Sequence, residues 1–158
     1  MTKFNQLQTK DDFAKLLGFK NARYINYLLY NVQTDNLYTT FTIPKKNGGE
    51  RVIHAPTKEL KFLQKKLANI LWECYLESLE SKSKDKNFKT PVLSHAFEKG
   101  KSIITNSQMH RNKKYILNID LKNFFDSFNF GRVRGFFIKD RDFAVSPEIA
   151  TVIAQIAC

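Results

Sequence analysis

Acidic residues, cysteines and long apolar runs are all scarce in this sequence of 158 residues. Only 15 Asp and Glu stand against 26 Lys and Arg, leaving a formal net charge of +11. A balance this basic points to a polyanionic partner, through attraction to phosphates and release of their counterions. A basic protein with no such partner is the alternative reading. Two cysteines, Cys74 and Cys158, exclude a disulfide-dense scaffold. They permit one bridge, but in a Lys-rich chain without an export signal they read as reduced thiols. No apolar run approaches the roughly 20 residues of a membrane span. The first residues, Met-Thr-Lys-Phe-Asn-Gln, lack the charged-then-apolar pattern of an export signal. The expectation is a cytoplasmic protein without a membrane partner. His54, His95 and His110 have no metal-ligand spacing between them. No internal repeat is present. At 42% hydrophobic and 26% charged the composition is globular, and the length suits one ordinary domain.

Thr9-Lys-Asp-Asp12 has the form of a capping box, and Phe13, Leu16 and Leu17 mark a short amphipathic helix ending at Gly18. A second helix is predicted from about Ala22, with Tyr24, Ile25, Leu28 and Leu29 as its apolar positions. Two short helices around a glycine resemble a helix-turn-helix, but the second carries only Arg23 as a base-reading cation. They read as packing elements. Thr39 to Pro44 alternates and is rich in β-formers. Asn-Gly inside Lys45-Lys-Asn-Gly-Gly49 then signals a hairpin returning through Glu50 to His54. Lys45, Lys46 and Arg51 on one hairpin suit phosphate, since arginine offers a bidentate fork and lysine a mobile point charge. A solvated turn with lysines guarding a strand edge is equally consistent.

From Pro56-Thr57 a long helix is expected, with Leu60, Leu63, Leu67, Ile70 and Cys74 as one apolar stripe. Lys58, Lys61, Lys65 and Lys66 fall off that stripe on a solvated face, while Trp72 and Tyr75 read as core. Ser81 to Lys89 loses periodicity and reads as a basic loop. Ser94 to Gly100 is irregular, and Lys101 to Gln108 can form a helix. Phe130, Val133, Phe136 and Phe137 suggest another helix with an aromatic face. Ser146-Pro147-Glu148 is a helix start, with Pro at the first helical position. Ile149, Val152, Ile153 and Ile156 continue as an apolar stripe to the last residues, where part of its packing partners is expected to be missing.

The remaining stretch organises the chain: Tyr115-Ile-Leu-Asn-Ile-Asp-Leu-Lys-Asn-Phe-Phe-Asp-Ser-Phe128. Tyr115 to Leu121 is an apolar run broken by Asn118 and Asp120, and it predicts a buried strand. An aspartate buried near a strand end is costly unless its charge is compensated, and a bound divalent cation would do so. A salt-bridged or capped aspartate is the plainer reading of a lone Asp.

Asn118 to Phe128 closely resembles the first catalytic motif of reverse transcriptases, most closely those of bacterial retrons. Phe41-Thr-Ile-Pro-Lys-Lys-Asn-Gly-Gly-Glu-Arg-Val-Ile-His-Ala-Pro56 resembles the retron fingers hairpin. Ser94-His-Ala-Phe-Glu-Lys-Gly-Lys-Ser-Ile103 resembles the block between fingers and palm, departing from it at Ala96, where the family commonly has glycine. The resemblance covers nearly the whole chain in the family's order, and the chain stops before the family's Gln-Gly and Tyr-x-Asp-Asp motifs and its thumb.

The resemblance implies an α+β fingers and palm fragment. Residues 1–36 would be an N-terminal helical segment, 37–110 the fingers, and 111–158 the start of the palm with its first strand. It implies RNA-directed DNA synthesis with two Mg²⁺ ions, Asp120 as a bridging ligand and the carbonyl of Leu121 as another. Arg51, with Lys45 or Lys46, would hold the incoming triphosphate. Phe125 would pack under its sugar and exclude a 2′-hydroxyl, while Phe124 fills the core and Asn123 gives backbone near the triphosphate. Asp126 reads as a helix-start carboxylate. Lys99, Lys101 and Ser102 would meet the template backbone. Implied partners are a structured non-coding RNA serving as template and primer, the DNA product, deoxynucleoside triphosphates and a phage-defence effector. One aspartate does not make a polymerase site, so this stretch alone is expected to be inactive. A non-enzymatic nucleic-acid-binding module with the same fold is the alternative, as is a group II intron or other defence-related polymerase.

Overall fold

A computed structural model of the chain describes residues 3–32, 36–46, 48–88, 94–96, 98–122 and 124–158. The side chains of Lys3 and Asp126 lie outside that description, as does the whole of Asn123. A 3₁₀ turn at Lys3–Gln6 precedes helix α1, Lys10–Leu16. The expected capping box opens α1: Asp12 N–H donates to Thr9 Oγ1 at 3.1 Å, and Thr9 N–H donates to Asp12 Oδ2 at 3.0 Å. The Thr9 hydroxyl, donating to Asp12 Oδ2 at 2.7 Å, and after it that backbone bond hold the Asp12 carboxyl below its usual range. Gly18 ends the unit at φ +82°, in the left-handed region that glycine enters freely. Helix α2, Arg23–Asn26, runs on into a π turn, Tyr27–Asn31, in which Val32 N–H donates to the Tyr27 carbonyl.

Strands β1, Tyr38–Pro44, and β2, Glu50–Pro56, pair antiparallel in the register Phe41↔Ile53 and Ile43↔Arg51. Gly48 and Gly49 both have φ above +80°, which is why the sequence places glycines at this tip. Helix α3, Lys58–Ser83, is capped by Thr57 and buries Leu60, Leu63, Leu67 and Cys74 of the stripe read from the sequence, with Ile70 of that stripe partly buried. It outruns the predicted loop start at Ser81. Lys82 in its last turn pairs with Asp142, and a cation there also suits the helix's negative end. Helices α4, Ile103–His110, α5, Phe130–Lys139, and α6, Pro147–Ala157, complete the described α-helices.

The core joins the two ends of the chain. Phe4 is fully buried, with ring contacts to Phe13, Phe137 and Phe143 at centroid distances of 6.0–6.5 Å. Ile149, Val152, Ile153 and Ile156 on α6 are all at least 98% buried, in one cluster with residues of α1, α3 and α5. The expectation that this stripe lacks part of its packing is therefore overturned. Gln64 on α3 donates from Nε2 to the Ile156 carbonyl at 2.9 Å, satisfying a C-terminal acceptor of α6.

The first palm strand is also corrected. Residues 115–121 form no strand, and they are exposed: Leu117 is 83% accessible and Ile119 73%. A strand is stable only against a partner that takes up its backbone groups. The two described strands pair with each other, and no described strand lies beside this segment.

Candidate nucleotide and nucleic-acid site

The hairpin brings three of the expected residues together. Lys45, Lys46 and Arg51 line one open cleft of about 480 Å³ with Ile43 and Pro44. The register explains this. Arg51 stands opposite Ile43, one step from the turn that carries the lysines. Lys45 N–H donates to the Gly49 carbonyl at 2.9 Å, which fixes the backbone where the tip begins. Further down, Thr40 Oγ1 and His54 Nδ1 lie 2.9 Å apart across a directly paired position. All three cations are exposed, so the cleft is a cationic surface suited to a phosphate chain.

Asp120 lies in the exposed irregular segment, and among the described residues its carboxylate has neither a hydrogen-bond nor an ion-pair partner. Asp120 is therefore a solvated charge and not a buried one that needs compensation. Leu121 is 62% accessible beside it. Phe124 is no core residue. It is exposed and forms a surface ring cluster, 5.4 Å from Phe125 and 5.0 Å from Phe128, both edge-on. Phe125 is 68% accessible at the start of a 3₁₀ turn, Phe125–Ser127, which Ser127 steadies by donating to the Phe124 carbonyl. Asn123 and the Asp126 carboxylate, expected beside the triphosphate and at a helix start, lie outside the described residues.

Among the described residues no three His, Cys, Asp or Glu side chains gather as a metal site. What is present fits one corner of a Mg²⁺ shell, a solvated carboxylate, and no more.

Lys99 reaches back onto α3, 3.4 Å from Asn69 Oδ1 and 5.9 Å from the Trp72 ring centroid. Lys101 is exposed. Ser102 caps α4, its Oγ accepting from Thr105 N–H, so its hydroxyl has a structural task. Thr105 Oγ1 in turn lies 2.8 Å from His95 Nδ1. On the solvated face of α3, Lys66 stands over the rings of Phe19 and Phe62 at 5.5 and 5.1 Å. Sequence reasoning passed over a second cleft, beside α1 and α2, lined by three asparagines. Its signal was the five-residue spacing of Asn21, Asn26 and Asn31.

No family model matches the chain, and no solved structure matches it. Curated relatives do. The retron Mx65 reverse transcriptase of Myxococcus xanthus is 34% identical over 134 residues, 83% of this chain and 28% of the relative. The retron Mx162 reverse transcriptase of the same organism is 30% identical over 133 residues, 82% of this chain and 24% of the relative. The retron Ec86 reverse transcriptase of Escherichia coli is 34% identical over 137 residues, 85% of this chain and 37% of the relative. The match thus spans about a quarter to a third of the length of these relatives. Over most of its own length, the chain is homologous to a segment of the retron reverse transcriptases.

Proposed function

We propose that the chain is the front portion of a retron-type RNA-directed DNA polymerase, which copies a structured non-coding RNA into DNA. On this reading residues 1–36 are a helical lead, 37–110 the fingers and 111–158 the start of the palm. The observation that carries it is the convergence of Lys45, Lys46 and Arg51 on one cleft. Their charges would hold the incoming deoxynucleoside triphosphate, the arginine by its fork and a lysine as a point charge. Asp120 would be one carboxylate ligand of two Mg²⁺ ions, with the Leu121 carbonyl beside it. Bound there, such ions stabilise the attacking and leaving oxygens of nucleotidyl transfer. Phe125 would exclude a ribose 2′-hydroxyl by steric conflict. Asn123 and Phe124 would flank the nucleotide, and Lys99, Lys101 and Ser102 the template backbone. The RNA serves as template and primer, and the setting is a cytoplasmic defence system with an effector protein. With one such carboxylate, the 158 residues alone should not extend a primer.

The test is Asp120→Asn in the longer protein. DNA synthesis is expected to vanish while RNA binding survives. Retained synthesis would sink the assignment of Asp120. A longer protein that binds RNA and never synthesises DNA would favour the non-enzymatic binding module.

A further inference from the structure

Helices α1 and α2 border a cleft of about 610 Å³ whose lining includes Asp11, Asn21, Arg23, Asn26, Tyr27 and Asn31. The lining is polar and rich in amides, with one aromatic ring and one guanidinium. Tyr27 is 58% accessible and begins the π turn. Such turns are rare and concentrate at functional sites. Leu28 is buried behind it, so the turn is fixed from the core side while Tyr27 and Asn31 face outward.

The cleft has unmet hydrogen-bonding capacity. Asp11 Oδ1 accepts from Ala22 N–H at 2.8 Å, which holds the carboxylate at the cleft, and its other oxygen has no partner among the described residues. Asn26 Oδ1 is closed off from solvent and has no donor. A terminal amide torsion is soft, so this carbonyl can turn toward a donor that enters the cleft. The acceptors call for a ligand with donors, and the Asp11 charge turns a phosphate away. One cation, the exposed Arg23, is part of the lining, and Lys10, the chain neighbour of Asp11, lies 5.7 Å from the ring centroid of the exposed Tyr30. A ring to stack on, acceptors in the lining and an exposed guanidinium beside them match one unit of a single-stranded nucleic acid: base inside, phosphate outside at Arg23.

We propose that this cleft binds one unpaired nucleobase of a single-stranded nucleic acid, stacked on Tyr27 with its donor edge toward Asp11 and the asparagines. The proposal rests on the reading of the chain as a nucleic-acid-handling protein, but at a site apart from the hairpin and Asp120.

The test is fluorescence anisotropy of the 158-residue chain with labelled uridine heptamers, with and without one central guanosine, whose base edge carries two adjacent donors. The guanosine heptamer is expected to bind about tenfold tighter. Tyr27→Ala, a substitution at an exposed position, should weaken both heptamers about tenfold. Asp11→Asn keeps an oxygen for Ala22 N–H and should abolish the preference alone. Equal affinity for the two heptamers overturns the proposal. So does unchanged affinity in a Tyr27→Ala variant that melts like the parent. Deoxy heptamers identify the strand: equal affinity means either nucleic acid is taken, and weaker affinity means RNA. Substituting the hairpin cations should weaken both heptamers alike and leave the preference intact. Failure of the polymerase reading, seen as a longer protein that binds RNA and never synthesises DNA, is thereby a separate result.

Discussion

Asp142 shows how a single side chain ties distant parts of this chain together. Its carboxylate pairs with Lys82 at the end of α3, and that hydrogen bond, more than any other influence, holds its pKa below the ordinary 3.8. The loop is shaped independently, because Asp140 Oδ1 accepts from the backbone N–H groups of Asp142 and Phe143. Folding lowers the Asp142 pKa, so the unfolded chain takes up the proton more readily. The stabilisation is therefore complete above the ordinary value and is lost as pH falls through the lower folded value. Asp142→Asn should lower the melting temperature at neutral pH, and the difference should close below about pH 3.8. The pair is half open to solvent on the lysine side, so the loss should be at the scale of exposed pairs, about 0.2–1 kcal/mol. Thermal melts of both proteins across this pH range check it; a difference that persists at low pH would assign the effect to something other than the ion pair. Asp120 is the contrasting residue. Nothing described in the chain engages its carboxylate, which leaves it available to an added ligand.

Helix α6 is the element on which the core closes. Ser146 caps it, Pro147 supplies a preset φ at its first position, and its apolar face meets α1, α3 and α5. Were that face awaiting an absent partner, truncating it would cost little. Ile153 is fully buried, so Ile153→Ala should cost about 2–5 kcal/mol in urea denaturation. A loss under about 1 kcal/mol would mean the face is not packed. The start of α6 was legible in the sequence because a cap followed by proline is local chemistry. The same holds for the Thr9–Asp12 box, the glycine hairpin tip and the stripe of α3. The strand at 115–121 was misread for the opposite reason: apolar β-formers state a preference, and only a neighbouring strand converts it into a ladder. The end of α3 was placed too early because its last turn is held by Asp142, 60 residues away from Lys82. Within the site, the hairpin cations were legible because the turn fixes their register. The π turn was not, since nothing in Tyr27–Asn31 distinguishes it from an ordinary helix except the asparagine spacing.

At the scale of the whole molecule the excess of 11 positive charges acts as a field, and a field alone does not choose a site. Any polyanion should bind weakly and with steep salt dependence, because each neutralised phosphate releases counterions. What separates the hairpin from the remaining lysines is geometry. Three cations share one cleft there, whereas Lys66 is drawn over Phe19 and Phe62 and Lys99 over Trp72. Replacing Lys45, Lys46 and Arg51 together by glutamine should therefore lower the magnitude of the slope of log affinity against log salt by about two for a single strand. The melting temperature should barely move, since all three side chains are exposed and the strand register does not depend on them. Titrations with one oligonucleotide at several salt concentrations give both slopes. An unchanged slope would place the phosphates elsewhere on the basic surface and remove the hairpin from the nucleic-acid interface.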